Sequence, residues 1–127
     1  MKALVVDDSS FAQRTAQSFL GKLFPGIVIA LANNGREGYA AFVQEKPDIV
    51  ITDLLMPDMT GQQMIQKIRE IDSRTPIFVL TADIQKTTKF ELVPLGIAGF
   101  INKPLERSAA DLIKHKVEEY IHADRTS

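Results

Sequence analysis

Five times along the chain a strand-length apolar run is followed by turn residues and then by a stretch with helical periodicity. The runs are residues 3–6, 27–31, 49–52 and 77–80, and a short one around Phe100 and Ile101. Strands that alternate with helices are joined by crossovers rather than hairpins, so the pattern predicts an α/β fold. The expectation is a doubly wound five-stranded parallel sheet with five helices. Right-handed crossovers put helices on both faces and gather the carboxyl ends of the strands on one rim.

The helical segments carry their own punctuation. Ser9 or Ser10 can cap the first helix, whose apolar positions are Phe11, Ala12, Thr15, Phe19, Leu20 and Leu23, and Pro25 and Gly26 close it. Asn33, Asn34 and Gly35 turn into a second helix with Tyr39, Ala40, Phe42 and Val43, broken at Lys46, Pro47 and Asp48. The third, from about 62 to 71, has Met64, Ile65, Ile68 and Ile71 as its apolar face. Ala82 and Asp83 open a fourth that should be short, because Pro94 inside a helix costs about 3 kcal/mol. The last, from about 106 to 122, turns Ala109, Leu112, Ile113, Val117, Tyr120 and Ile121 inward. Residues 1–123 then make one domain and 124–127 a polar tail.

A chain of 127 residues, 45% hydrophobic, has the size of one domain with a real core. With 15 basic and 16 acidic side chains it has no broad field to draw it to nucleic acid or an anionic membrane. The absence of cysteine excludes disulfides, thiolate metal sites and a cysteine nucleophile. Met1 leads straight into a strand-length run without the features of a signal peptide, and no run approaches the ~20 apolar residues of a membrane span. The reading is a cytoplasmic protein without nucleic-acid or membrane partners.

The strand ends are chemically uniform. Asp7 and Asp8 follow the first strand, Asp53 the third, Thr81 the fourth and Lys103 the fifth. Three carboxylates brought to one rim repel one another unless a cation neutralises them, and an all-oxygen set suits Mg²⁺. A bound Mg²⁺ would leave room for a phosphoryl oxygen, with Lys103 holding a second oxygen and the Thr81 hydroxyl a third. Asp53 is then the natural nucleophile.

Taken together, VVDDS at 5–9, ITDLLMPDMTG at 51–61, VLTA at 79–82 and GFINKPL at 99–105 resemble the receiver domains of two-component response regulators. The likeness is greatest to the stand-alone, chemotaxis-type single-domain receivers, and it covers nearly the whole chain. It implies a flavodoxin-like sheet of strand order 2-1-3-4-5. Asp53 matches the phosphoacceptor that takes a phosphoryl group from a histidine kinase, a histidine phosphotransfer protein or a small phosphodonor. Asp8 matches the direct Mg²⁺ ligand, Asp7 the acid that usually holds the metal through water, and the Leu55 backbone carbonyl a further ligand. Thr81 matches the switch hydroxyl, Lys103 the cation that pairs with the phosphate, and Phe100 the aromatic switch. The bond before Pro104 matches a cis peptide. The output partner would bind the face of helix 4, strand 5 and helix 5, and both a monomer and a dimer are compatible with the resemblance.

Some positions depart from the family pattern. Phe100 lacks the hydroxyl of the tyrosine often found there, and Leu55 offers no hydrogen bond to an attacking water, which predicts slow to moderate self-dephosphorylation. Asp83 could orient such a water. A constitutive, receiver-shaped interaction domain is the alternative function, and a small metal-dependent phosphatase would need a substrate pocket for which the chain has no residues to spare. His115 and His122 have no ligand partner in spacing and receive no role.

Overall fold

The computed structural model describes residues 1–54, 56, 59–82, 89–103 and 105–126. Five strands, β1 (Lys2–Val6), β2 (Val28–Ala32), β3 (Ile49–Thr52), β4 (Ile77–Thr81) and β5 (Gly99–Asn102), form one parallel sheet in the order β2-β1-β3-β4-β5. The helices are α1 (Ser10–Leu23), α2 (Gly35–Glu45), α3 (Gly61–Ile71), α4 (Lys89–Leu92) and α5 (Ala110–Thr126). The topology is the expected one, because parallel neighbours cannot be joined by a hairpin and need a crossover, which the helices supply.

β3 is buried at every position, as its four β-branched residues require. Two apolar layers flank the sheet. Ala3, Val5, Ile49, Ile51 and Phe78 face α1 and α5, where Ala16, Leu20, Ile113 and Val117 meet them. Leu4, Val6, Val50, Ile77 and Val79 face the other way, onto Phe42, Met64, Ile65, Ile68 and Leu92.

The helix faces differ in detail from those expected. Phe11 is 71% exposed, and the inward stripe of α1 is Gln13, Ala16 and Leu20, a rotation that sequence periodicity cannot resolve when apolar residues cover more than one face. Ile71, Leu112 and Val43 also reach solvent, because the last turn of a helix overhangs the sheet or because the buried stripe is narrow. α2 buries Gly35, Gly38 and Phe42; a Cβ on Gly38 would lie 2.5 Å from Met64 Sδ, so the bare backbone is what lets α2 lie close to α3 and β1.

α4 gives way at Pro94 to a 3₁₀ turn (Val93–Leu95) that Gly96 closes in the left-handed region. The expected start of that helix at Asp83 lies outside the described residues. A second 3₁₀ turn (Arg107–Ala109) precedes α5. α5 runs on to Thr126, through the segment expected to be a tail, since nothing between Ala123 and Thr126 breaks a helix and polar composition alone does not end one.

Candidate functional site

The site lies where β1, β3, β4 and β5 end. Asp53 follows β3, and its backbone N–H donates to the Val6 carbonyl at 3.0 Å, so the ends of β1 and β3 are locked side by side. The Lys103 N–H donates to the Thr81 carbonyl at 2.7 Å and does the same for β4 and β5. Asp7, Asp8 and Asp53 each offer an oxygen within 4.8 Å of the others.

The loop between β3 and α3 is held from two sides. Thr60 caps α3 in a capping box with Gln63, a Thr-x-x-Gln spacing that could have been read from the sequence. A Cβ on Gly61 would lie 2.2 Å from the Asp53 carbonyl oxygen, so only glycine lets the start of α3 pass directly beneath the residue after β3. The Gly61 N–H donates to the Leu54 carbonyl at 3.1 Å, and the Gly35 N–H donates to that of Met59 at 3.1 Å.

The three acids have different surroundings. Asp7 is 2% exposed, with Oδ1 accepting from the Ser9 N–H at 2.9 Å and Oδ2 lying 2.9 Å from Lys103 Nζ. Asp8 is exposed. Asp53 is half-buried; Oδ1 accepts from the Leu54 N–H at 2.6 Å and Oδ2 lies 3.0 Å from the same Lys103 nitrogen. One ammonium thus bridges two carboxylates. Burial is the largest influence on Lys103 and pulls its pKa down, but the hydrogen bonds and charges of Asp7 and Asp53 outweigh it and hold the pKa above the ordinary 10.5.

Among the described residues, three carboxylates gather beside one ammonium at the rim. That excess of carboxylates and the oxygen-only donor set fit a hard divalent cation such as Mg²⁺. The cluster could hold a metal.

Thr81 is half-buried at the end of β4. Phe100 sits on β5 beside Val79, half-buried against the α2–α3 layer, and it lines a pocket of about 390 Å³ together with Asn102, Lys103, Glu106 and Leu112. Leu55 and Pro104, and with them the expected carbonyl ligand and cis peptide, lie outside the described residues. His115 is on the surface of α5, 2.9 Å from Glu119 one turn on. Sequence reasoning missed Gln13, although a polar residue at the head of the stripe 13, 16, 20 was there to be noticed.

A family model described as the response regulator receiver domain matches residues 3–115. The chain belongs to the response regulator receiver domain family. Receivers are signalling modules of two-component systems. The chain is 34% identical to the chemotaxis protein CheY of Thermotoga maritima over 93% of its own length and 98% of that protein's. It spans far less of other relatives, 24% of the regulatory protein AtoC of Escherichia coli, to which it is 30% identical over 88% of its own length. Among solved structures, a CheY-like receiver domain of Methanospirillum hungatei superposes with a TM-score of 0.86 at 23% identity, covering 96% of this receiver and 97% of that chain. Among the described residues, no helix is long and apolar enough to cross a membrane.

Proposed function

We propose that this receiver accepts a phosphoryl group on Asp53 from the phosphohistidine of a histidine kinase or histidine phosphotransfer protein, in a Mg²⁺-dependent reaction in the cytoplasm. The observation that carries the reading is the placement of Asp7, Asp8 and Asp53 within 4.8 Å of one another beside one bridging lysine. Asp7, Asp8, Asp53 and the Leu55 carbonyl would hold the Mg²⁺. When bound, it supplies a positive charge that offsets the oxygens of the transferring group.

The chain's own residues supply the rest. A carboxylate oxygen of Asp53 attacks phosphorus in line with the phosphorus–nitrogen bond of the donor; that bond breaks, the donor's ring, already protonated on its other nitrogen, leaves as neutral imidazole, and an acyl phosphate forms. The Leu54 N–H keeps the other oxygen turned away from the attack. Lys103 exchanges its bond to Asp53 for one to the phosphoryl group. The phosphoryl group adds about −1.5 to −2 charge, which draws the Thr81 hydroxyl inward, and Phe100 on the neighbouring strand follows into the space vacated. The face made by α4, β5 and the start of α5 thereby changes for its output partner. With a leucine at position 55, the acyl phosphate is expected to outlast a few seconds.

The test is intact mass after incubation with a small acyl phosphate and Mg²⁺, for wild type and Asp53→Asn. A phosphoryl increment on wild type alone supports the reading. No increment on a folded wild type supplied with Mg²⁺ overturns it, leaving a constitutive interaction domain. Equal partner affinity of wild type and Asp53→Asn in the presence of phosphodonor would overturn the switch.

A further inference from the structure

Gln13 reaches the acid cluster from behind. It is 8% exposed on the inward stripe of α1, and its Nε2 donates to the Asp7 carbonyl at 2.7 Å, to the Ala32 carbonyl at 3.2 Å and to Asn33 Oδ1 at 2.8 Å. Two of these acceptors are backbone carbonyls, so the nitrogen end of the amide must face them. Three acceptors share two hydrogens, so both donors of the amide are engaged. The Ala32 carbonyl also accepts the Asp7 N–H at 3.0 Å, so the ends of β1 and β2 and the side chain of Gln13 form one knot. Asn33 passes the hold on through its Nδ2 to Glu37 Oε1, at 3.3 Å, in the first turn of α2.

The Asp7 carbonyl belongs to the peptide unit that joins Asp7 to Asp8. That unit is planar, so fixing its oxygen fixes the direction of the Asp8 N–H and the plane from which both side chains spring. The Ser9 N–H, bonded to Asp7 Oδ1, fixes the other side of the pair. Without a donor behind it, the peptide could rotate to let two mutually repelling carboxylates part.

We infer that Gln13 is a positioning residue: it holds the Asp7–Asp8 peptide so that the two β1 carboxylates stay converged with Asp53 and ready for a divalent cation. The inference rests on the reading of the cluster as a cation site. Groups that orient metal ligands from outside are worth about 10- to 100-fold in metal affinity. Gln13 acts on a backbone carbonyl rather than on a ligand oxygen, so the lower end applies.

Calorimetric titration with MgCl₂ at 25 °C, without phosphodonor, tests it on wild type, Gln13→Met, Asn33→Ala and Asp72→Ala. Methionine keeps the length of Gln13 and removes the donor; its Mg²⁺ dissociation constant should rise about tenfold. Asn33→Ala is a surface change that loosens only the outer end of the knot and should give a smaller rise, about two- to threefold. Asp72 accepts from Arg74 and Thr75 in the turn before β4, at the far rim, so Asp72→Ala should lower stability yet bind as wild type does. Wild-type affinity in Gln13→Met overturns the positioning role alone, as does an equal loss in Asp72→Ala, which would trace the effect to general stability. If Gln13→Met fails to fold, Asn33→Ala decides, and unchanged affinity there overturns the role. No binding by wild type overturns the cation reading and the positioning role with it.

Discussion

A single carboxylate at one rim of the sheet and a cluster of three at the other are built on opposite terms. Before β4, Asp72 accepts the Arg74 N–H at 2.8 Å and the Thr75 N–H at 2.9 Å on one oxygen and the Thr75 hydroxyl at 2.6 Å on the other. The adjacent Arg69 binds the carbonyls of Leu95, Asp72 and Gly96, tying the end of α3 to the turn after α4. Burial is the largest influence on Asp72 and disfavours its charge, but the Thr75 and Arg74 donors and Arg69 together outweigh it and hold the carboxyl below its ordinary 3.8. At the other rim Asp7 and Asp53 share one ammonium, and Asp8 brings a third carboxylate within 4.8 Å of theirs. A carboxylate that takes its donors from its own turn shapes that turn; carboxylates gathered around one ammonium suit a ligand cation.

The contrast breaks most directly at Lys103. Lys103→Met leaves the buried Asp7 without its cation, and a buried pair broken on one side costs about 3–5 kcal/mol, here reduced to about 2–3 because Lys103 is partly exposed. Urea unfolding at pH 8 without divalent ions should show this loss, and Mg²⁺ should restore part of it. The lysine's pKa is raised, so its contribution is complete below 10.5 and fades as pH rises through the higher folded value. The stability difference between wild type and variant should therefore persist through neutral pH and shrink only in strong alkali.

Asp72→Ala should cost about 1–3 kcal/mol in urea at pH 7, from lost hydrogen bonds to a charged group, and Mg²⁺ should recover none of it. Because the Asp72 pKa is depressed, its contribution is present above 3.8 and is lost as pH falls through the lower folded value. Unfolding curves of wild type and Asp72→Ala should converge below that point.

The smallest effect has the opposite sign. Asp8→Asn removes one like charge from the crowded rim and should raise stability by about 0.5 kcal/mol in the absence of divalent ions, while weakening Mg²⁺ binding. A destabilised Asp8→Asn, measured by the same urea titration, would mean that the rim is as well satisfied as the Asp72 turn.

Much of this was legible in residues whose role is local. Asp7, Asp8, Asp53, Thr81 and Lys103 could be placed because each directly follows an apolar strand, and parallel order brings the ends of such strands to one rim whatever the loops do. Pro94 announced where α4 would fail. The sequence by itself determined the strands, the crossovers and the charge gathered at their ends, since these follow from periodicity and chain direction. Only the tertiary structure decided that Phe11 turns outward while Gln13 turns in beneath Asp7, that Arg69 reaches the carbonyls after α4, and that one lysine spans two carboxylates. Those contacts depend on how far each helix is rotated and set back against the sheet, and that is settled by the packing of both apolar layers together rather than by any one segment of chain.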